Sequence, residues 1–266
     1  MLLRNSTISE IEQALEKNMM AKFSYLPSLN TDMEVIENKN MLIINSNCKA
    51  DMFNIICKIK KANTKILQNA INFFVKNKLP FAFWLGFKDE AENLKDELNQ
   101  LNLVCDEREL GMYILLDNIN NLNGDIEQLK ILQVKERDIL QDFVSVIITL
   151  IPKDTSAIKE FFISNEKLIS DKNSKLKLFV GYYKNKPVAT SALFCDNQVV
   201  GVWDVITLPS ARGKGIGTKM TMHTLLIGKQ MGYKIGVLTA SDLGMGIYSK
   251  LGFRPLKDYL VCNYEM

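Results

Sequence analysis

Between Thr207 and Met220 the chain reads Leu208-Pro209-Ser210-Ala211-Arg212-Gly213-Lys214-Gly215-Ile216-Gly217-Thr218-Lys219, with glycine at alternate positions 213, 215 and 217. Glycines let the backbone curl so that successive N–H groups aim at one spot, and the free amides of a following helix's first turn join them. A cradle of this kind takes an anion, and a di- or polyphosphate is the obvious guest. Spacing removes two such guests. A P-loop needs a second glycine where Gly213 meets Thr218, and a dinucleotide fingerprint fails because Gly213 and Gly215 are followed by Thr218, and Gly215 and Gly217 by Met220. The same glycines could instead do no more than permit close packing at a tight strand-to-helix connection, and the loop alone leaves both readings open.

Other residue types that could do chemistry are sparse. Asp204 is the carboxylate nearest to the loop in sequence, but strand alternation does not decide which way it faces. The sole histidine, His223, lies on a helical stripe with Ile216, Met220 and Ile227, which reads as packing. Trp84 and Trp203 sit in apolar strands and read as core aromatics. The five cysteines, Cys48, Cys57, Cys105, Cys195 and Cys262, are odd in number and never at C-x-x-C spacing, so free buried thiols are expected, with no disulfide framework and no metal site.

The elements that must position the loop follow from pattern. Thr7-Ile8-Ser9-Glu10 is a capping box opening a helix through Ile11, Leu15 and Met19. Short strands are expected at 41–44, 81–85 and 111–116, and helices over 62–76 and 91–101. The turn-rich stretch 118–125 is the best linker, dividing the chain into segments 1–122 and 123–266. Beyond it come helices over 136–149 and 155–168 on either side of Pro152, then a hairpin formed by 178–183 and 187–194. A strand at 199–207 enters the glycine loop, and a helix over 216–231 leaves it and stops at Gly232. A strand at 235–239, a helix at 243–251 and a strand at 258–265 complete the order. Strands and helices so mixed imply an α/β (α+β) fold. A weak repeat at an offset of 150 residues aligns Leu101-Asn102-Leu103 with Leu251-Gly252-Phe253, but sets Lys65 against Gly215, Leu67 against Gly217 and Leu98 against Tyr248.

Composition excludes several classes. With 266 residues, 47% apolar and 24% charged, the chain can bury a sizeable core. A net charge of +3, with no basic stripe, argues against nucleic acid. No apolar run approaches the roughly 20 residues of a membrane span, and the beginning of the chain has no secretory pattern, so a cytoplasmic protein is expected.

Arg212-x-x-Gly215-x-Gly217, with Asp204 to Pro209 before it, Gly232-Tyr233 and Val237 to Ser241 after it, and Ile247-Tyr248-Ser249-Lys250-Leu251-Gly252-Phe253 beyond, resembles the GNAT superfamily of N-acyltransferases over about residues 125–266. The first segment is similar to the degenerate partner found in tandem members. The resemblance implies two GNAT-like domains, each a mixed, mostly antiparallel sheet covered by helices, and acetyl-CoA as co-substrate without a metal. It implies that Arg212, Gly213, Lys214, Gly215, Ile216, Gly217 and Thr218 hold the pyrophosphate. The Val205-Ile206-Thr207 backbone would meet the pantetheine arm and thioester, with Ser241 beside it. Tyr248 would be the general acid; without the family context a packing tyrosine is the simpler reading. The acceptor would be an amine on a small molecule or a protein. A non-catalytic acyl-CoA-binding or protein-interaction module is the rival function class.

Overall fold

The computed structural model describes residues 5–38, 41–58, 64–86, 95–119, 126–151, 155–196 and 198–264. Its strands are β1 (Glu34–Glu37), β2 (Met41–Asn45), β3 (Ile55–Lys58), β4 (Ala82–Gly86), β5 (Leu103–Leu115), β6 (Leu129–Gln133), β7 (Leu176–Tyr183), β8 (Lys186–Cys195), β9 (Val200–Thr207), β10 (Ile235–Ala240) and β11 (Arg254–Tyr264). The helices are α1 (Ile8–Leu29), α2 (Thr64–Asn77), α3 (Lys95–Gln100), α4 (Arg137–Leu150), α5 (Thr155–Ser164), α6 (Glu166–Ser170), α7 (Ile216–Gln230) and α8 (Asp242–Lys250).

All eleven strands join one sheet in the order β1-β2-β3-β4-β11-β5-β10-β9-β8-β7-β6. The order is a near-palindrome. β3 and β4 run parallel, as do β9 and β10, with antiparallel strands outside each pair. The last strand of each half has changed places. β11 pairs with β4, β5 pairs with β10, and the two exchanged strands pair antiparallel with one another at the centre. The weak repeat in the sequence thus corresponds to a doubled sheet whose halves are interlocked.

Local chemistry explains the elements that were expected. The Thr7 backbone N–H donates to Glu10 Oε2 at 2.7 Å, and Glu10 N–H donates to Thr7 Oγ1 at 3.3 Å, closing the capping box of α1. Ile11, Leu15 and Met19 are buried on that helix, whereas Ile8 is exposed. The β7–β8 hairpin turns on Lys184 and Asn185, both at positive φ (52° and 61°), the mirror-image turn that suits strand twist. Gly232, at φ 92°, ends α7 as expected.

Four features depart from the sequence reading. β1, β3 and β6, short strands of four or five residues, were not anticipated, and β5 begins eight residues before the expected strand at Gly111. The helix expected over 155–168 is broken, with α5 ending at Ser164 and α6 beginning at Glu166. α1 lies in the first half of the sequence, yet packs in one hydrophobic cluster with α4, α5 and the β7–β9 strands of the second. Finally, Cys105 and Cys262 form a disulfide, correcting the expectation of free thiols at these two positions. Their separation of 157 residues is bridged only because β5 and β11 are neighbours, which spacing along the chain does not reveal. Cys48, Cys57 and Cys195 stand outside that disulfide; the Cys48 thiol donates to the Ala157 carbonyl at 3.1 Å, and burial raises the Cys195 thiol to about 11.

Most of the expected linker, and the boundary at 122/123, lie outside the described residues, as do Pro152 and the start of the helix expected over 91–101. Among the described residues, no helix is long and apolar enough to cross a membrane.

Candidate active site

The site begins where β9 and β10 part. Their parallel pairing is confined to Val200 opposite Gly236 and Gly201 opposite Val237. Past those residues β9 turns away while β10 stays paired to β5 through Ala240. A bulge assists the divergence. Thr190 and Ala192 on β8 pair with Ile206 and Trp203, so Asp204 and Val205 both stand opposite Ser191. Asp204 takes φ 51°, a left-handed conformation that a short polar side chain tolerates better than most. Its carbonyl accepts from Thr190 Oγ1 at 2.8 Å.

The bulge also resolves the orientation of Asp204. Its carboxylate meets Lys22 Nζ of α1 at 2.9 Å, and both residues line the cleft. Strand alternation could not have settled this, because the bulge interrupts it at that residue.

The cleft has a volume of about 550 Å³, in the range of small-ligand sites. Of the residues singled out in the sequence, Val205, Ile206, Thr207, Arg212, Gly217, Ser241 and Tyr248 line it. Gly213, Lys214, Gly215, Ile216 and Thr218 do not, and of these Gly213, Lys214 and Gly215 are exposed. They form the turn above the cleft and the start of α7. Gly213 and Gly215 take φ 76° and 75°, and Gly215 is the N-cap of α7. A Cβ on Gly217 would sit 3.2 Å from Thr207 Oγ1, so that glycine lets the helix start lie against β9. Arg212 Nε donates to the Thr207 carbonyl at 3.1 Å, tying loop to strand end. The Ile216 side chain is buried in the core beneath the loop.

Ser241 is the N-cap of α8, and its carbonyl accepts from Gly244 and Met245 at 2.9 and 3.0 Å. Tyr248, one turn further, is 9% exposed; its ring packs edge-on against Phe253 with centroids 5.7 Å apart. It is thus both a packing residue and a wall of the cleft. Burial, with a smaller contribution from the charge of Glu109, raises its phenol to about 12, so it is protonated at neutral pH.

Several cleft residues come from the first half of the chain and were missed in the sequence. Lys22 and Phe23 of α1, Trp84 of β4 and Glu109 of β5 form a wall opposite the loop, with Phe23 and Trp84 stacked at a tilt, centroids 5.2 Å apart. Trp84, expected in the core, packs half-buried against it and also forms part of this wall. Glu109 belongs to the run Asp106-Glu107-Arg108-Glu109, whose charge reads as a solvated surface in the sequence. Burial raises its carboxyl above the usual range, and a hydrogen bond with Thr239 opposes that shift. Trp203 is a core residue, 6% exposed, donating to Asn18 Oδ1 at 3.1 Å. His223 packs edge-on against Phe179 with centroids 5.1 Å apart and is held below its usual pKa by burial, as befits the packing role expected of it.

A sheet whose parallel strands β9 and β10 part beside a glycine-turned helix, doubled along one chain, defines a protein of tandem GNAT fold. Residues 174–255 match the acetyltransferase (GNAT) domain family. The fold is similar to that of a GCN5-related N-acetyltransferase from Kribbella flavida, with a TM-score of 0.68 and 13% identity over 94% of this chain and 95% of that one. It is similar also to a functionally unknown conserved protein from Staphylococcus epidermidis, with a TM-score of 0.69 and 13% identity over 90% and 96% of the two chains. A tandem GNAT protein from the clavulanic acid biosynthesis pathway matches 99% of this chain and 97% of its own at 8% identity and a TM-score of 0.58. No curated protein sequence matches the chain. At such identities the neighbours speak to fold. The model matched over residues 174–255 is that of an acetyltransferase domain.

Proposed function

We propose that the protein transfers an acetyl group from acetyl-CoA to an amine by direct attack, in a site formed by the 123–266 half and completed by a first half, 1–122, that has lost its own cradle. The observation carrying this reading is that the gap between β9 and β10 gathers the Gly217 helix start, Arg212, Ser241 and Tyr248 around one cleft. The 212–217 loop and the first turn of α7, through Thr218, would take the CoA pyrophosphate on backbone amides and the positive end of the helix. The pantetheine arm would run between the parted strands, along the backbone of Val205, Ile206 and Thr207 and past Ser241. The Val205 amide, beside the bulge, would stabilise the oxyanion of the tetrahedral intermediate.

Tyr248 would protonate the departing thiolate. A phenol raised to about 12 is a weaker acid than a thiol, whose ordinary pKa is about 8.5, so proton transfer from it depends on placement at the sulfur rather than on acidity. Holding amine and thioester together supplies much of the remaining rate.

Release of free thiol from acetyl-CoA, measured across a panel of amines, tests the reading. Turnover with an amine, lowered about a hundredfold in kcat by Tyr248→Phe while CoA affinity stays within about twofold, is the expected result. CoA binding without thiol release for every amine would instead favour a non-catalytic acyl-CoA-binding module.

A further inference from the structure

We propose that Glu109, carried into the cleft on the exchanged strand β5, is the general base that accepts the proton of the attacking amine. The inference rests on the acyltransferase reading above. It begins with the two faces of the sheet. Tyr248 belongs to the hydrophobic cluster under α7, together with Leu110 and Met112 of β5. Glu109 lies on the other face of β5, shared with Gly111 and Tyr113, where a Cβ on Gly111 would collide with Leu15 of α1. Both Glu109 and Tyr248 nevertheless line the same cleft, because the parting of β9 and β10 opens the sheet between them. Acid and base therefore reach the cleft from opposite faces of the sheet. In the addition–elimination of acyl transfer one proton leaves the attacking nitrogen and another reaches the departing sulfur, two different atoms of one tetrahedral intermediate, so base and acid are needed at separate points around it.

The alternative carboxylate is already engaged. Asp204 is held at 2.9 Å by Lys22. Glu109 is bound instead by a neutral hydroxyl, that of Thr239, which sits on the same face of the neighbouring strand β10. The other ionisable groups around it are Glu107 on β5, Asp242 and Tyr248 on α8, and Tyr259 opposite it on β11. Lys22 and Asp204 stand on the cleft wall, and Glu12 and Glu16 of α1 lie beyond Tyr259. Arg108 points to the opposite face, where it pairs with Asp258 at 2.8 Å. Among the described residues, no cation in direct contact offsets the burial of Glu109. Its carboxylate is consequently a better proton acceptor than an exposed glutamate, and the Thr239 hydroxyl favours its charged form.

The step balances. The neutral amine nitrogen forms the new N–C bond, the C–S bond breaks, and its electron pair leaves on sulfur. Nitrogen loses one proton to Glu109, sulfur gains one from Tyr248, and exchange with solvent returns Glu109 to carboxylate and Tyr248 to phenol. Phe23 and Trp84 line the same cleft, with the Lys22 ammonium 5.7 Å from the centroid of the Phe23 ring.

The test is the pH profile of kcat/KM, measured with two acceptor amines of different basicity so that the limb owned by the enzyme is the one that does not move with the amine. The unaltered protein is expected to gain activity as pH rises through the pKa of Glu109, above the ordinary carboxylate range. Glu109→Gln, which keeps size and hydrogen bonding, is expected to lower kcat/KM about a hundredfold at pH 7 and to abolish that limb, with the KM for acetyl-CoA little changed. Thr239→Val removes the hydrogen bond that favours the charged carboxylate, so the limb should move to higher pH. A Glu109→Gln protein with the full rate and an intact limb overturns the base. So does a limb unmoved by Thr239→Val, a variant that remains informative if the first does not fold. Absence of thiol release by the unaltered protein with every amine would overturn the acyltransferase reading, and the base with it.

Discussion

Gly215 has two duties at one residue, and substitution separates them. It caps α7 in a left-handed conformation, φ 75°, yet the nearest atom to an added Cβ is Ile126 Cδ1 at 3.8 Å. Alanine there meets no obstacle; its cost is backbone strain of about 1–2 kcal/mol, which the loop relieves by swinging its amides out of register. Gly215→Ala is therefore expected to raise the KM for acetyl-CoA severalfold while leaving kcat at saturation within about twofold, with a fall of only a few degrees in Tm. Steady-state kinetics with acetyl-CoA varied, alongside a thermal melt, makes the comparison. A loss confined to kcat would remove the loop from the phosphate site. The same residue illustrates what the amino-acid sequence discloses. A glycine spacing is a local conformational demand, so the left-handed turn and the helix start after it are legible from a dozen residues. The charged run ending in Glu109 is not, because nothing local says that its strand will be inserted between β10 and β11.

At the level of elements, legibility follows the same division. The hairpin at 176–195, the strand-loop-helix at 200–230 and the capping box of α1 are written in turn residues, glycines and apolar period, and they were readable. β1 and β6 are short strands at the two edges of the sheet, with burial patterns that leave most residues exposed or half-exposed, so they carry little apolar signal. The placement of α1 was also hidden, since it depends on a polar residue. Asn18 is fully buried, donates to the carbonyls of Phe194 and Val199 at 3.3 and 3.4 Å, and accepts from Trp203 Nε1 at 3.1 Å. Those bonds fasten a helix of the first half onto β8 and β9, one turn before Lys22 reaches Asp204. Asn18→Leu would leave the Trp203 N–H and two carbonyls unsatisfied, at a cost of about 1–3 kcal/mol for each buried group left unpaired. Denaturant unfolding should report that loss, and acyl transfer should fall with it as Lys22 and Phe23 shift on the cleft wall. Unchanged stability would mean that α1 is held by its apolar face alone.

At the scale of the whole molecule the exchange of β5 and β11 makes the two halves mutually dependent. The second half alone would have β10 as an open edge over Ile235–Ala240 and β11 with neither of its partners; the first half alone would lose β11 from both β4 and β5. Unpaired strands of this kind aggregate or stay disordered. Fragments 1–122 and 123–266, produced separately, are accordingly expected to lack a cooperative melt and to bind no acetyl-CoA. Produced together they should assemble, because everything that joins them except the peptide bond at the break is retained: the central β5–β11 pairing, the α1 contacts and the Cys105–Cys262 disulfide. The assembled pair should run as one species on a non-reducing denaturing gel and as two after reduction, since that disulfide would be the only covalent link between them. Recovery of acyl transfer in the pair but in neither fragment is the functional counterpart, because Glu109 lies on one fragment and Tyr248 on the other. A second-half fragment that melts cooperatively and turns over acetyl-CoA unaided would show that the first half is an accessory, and that the cleft does not need the strand it borrows.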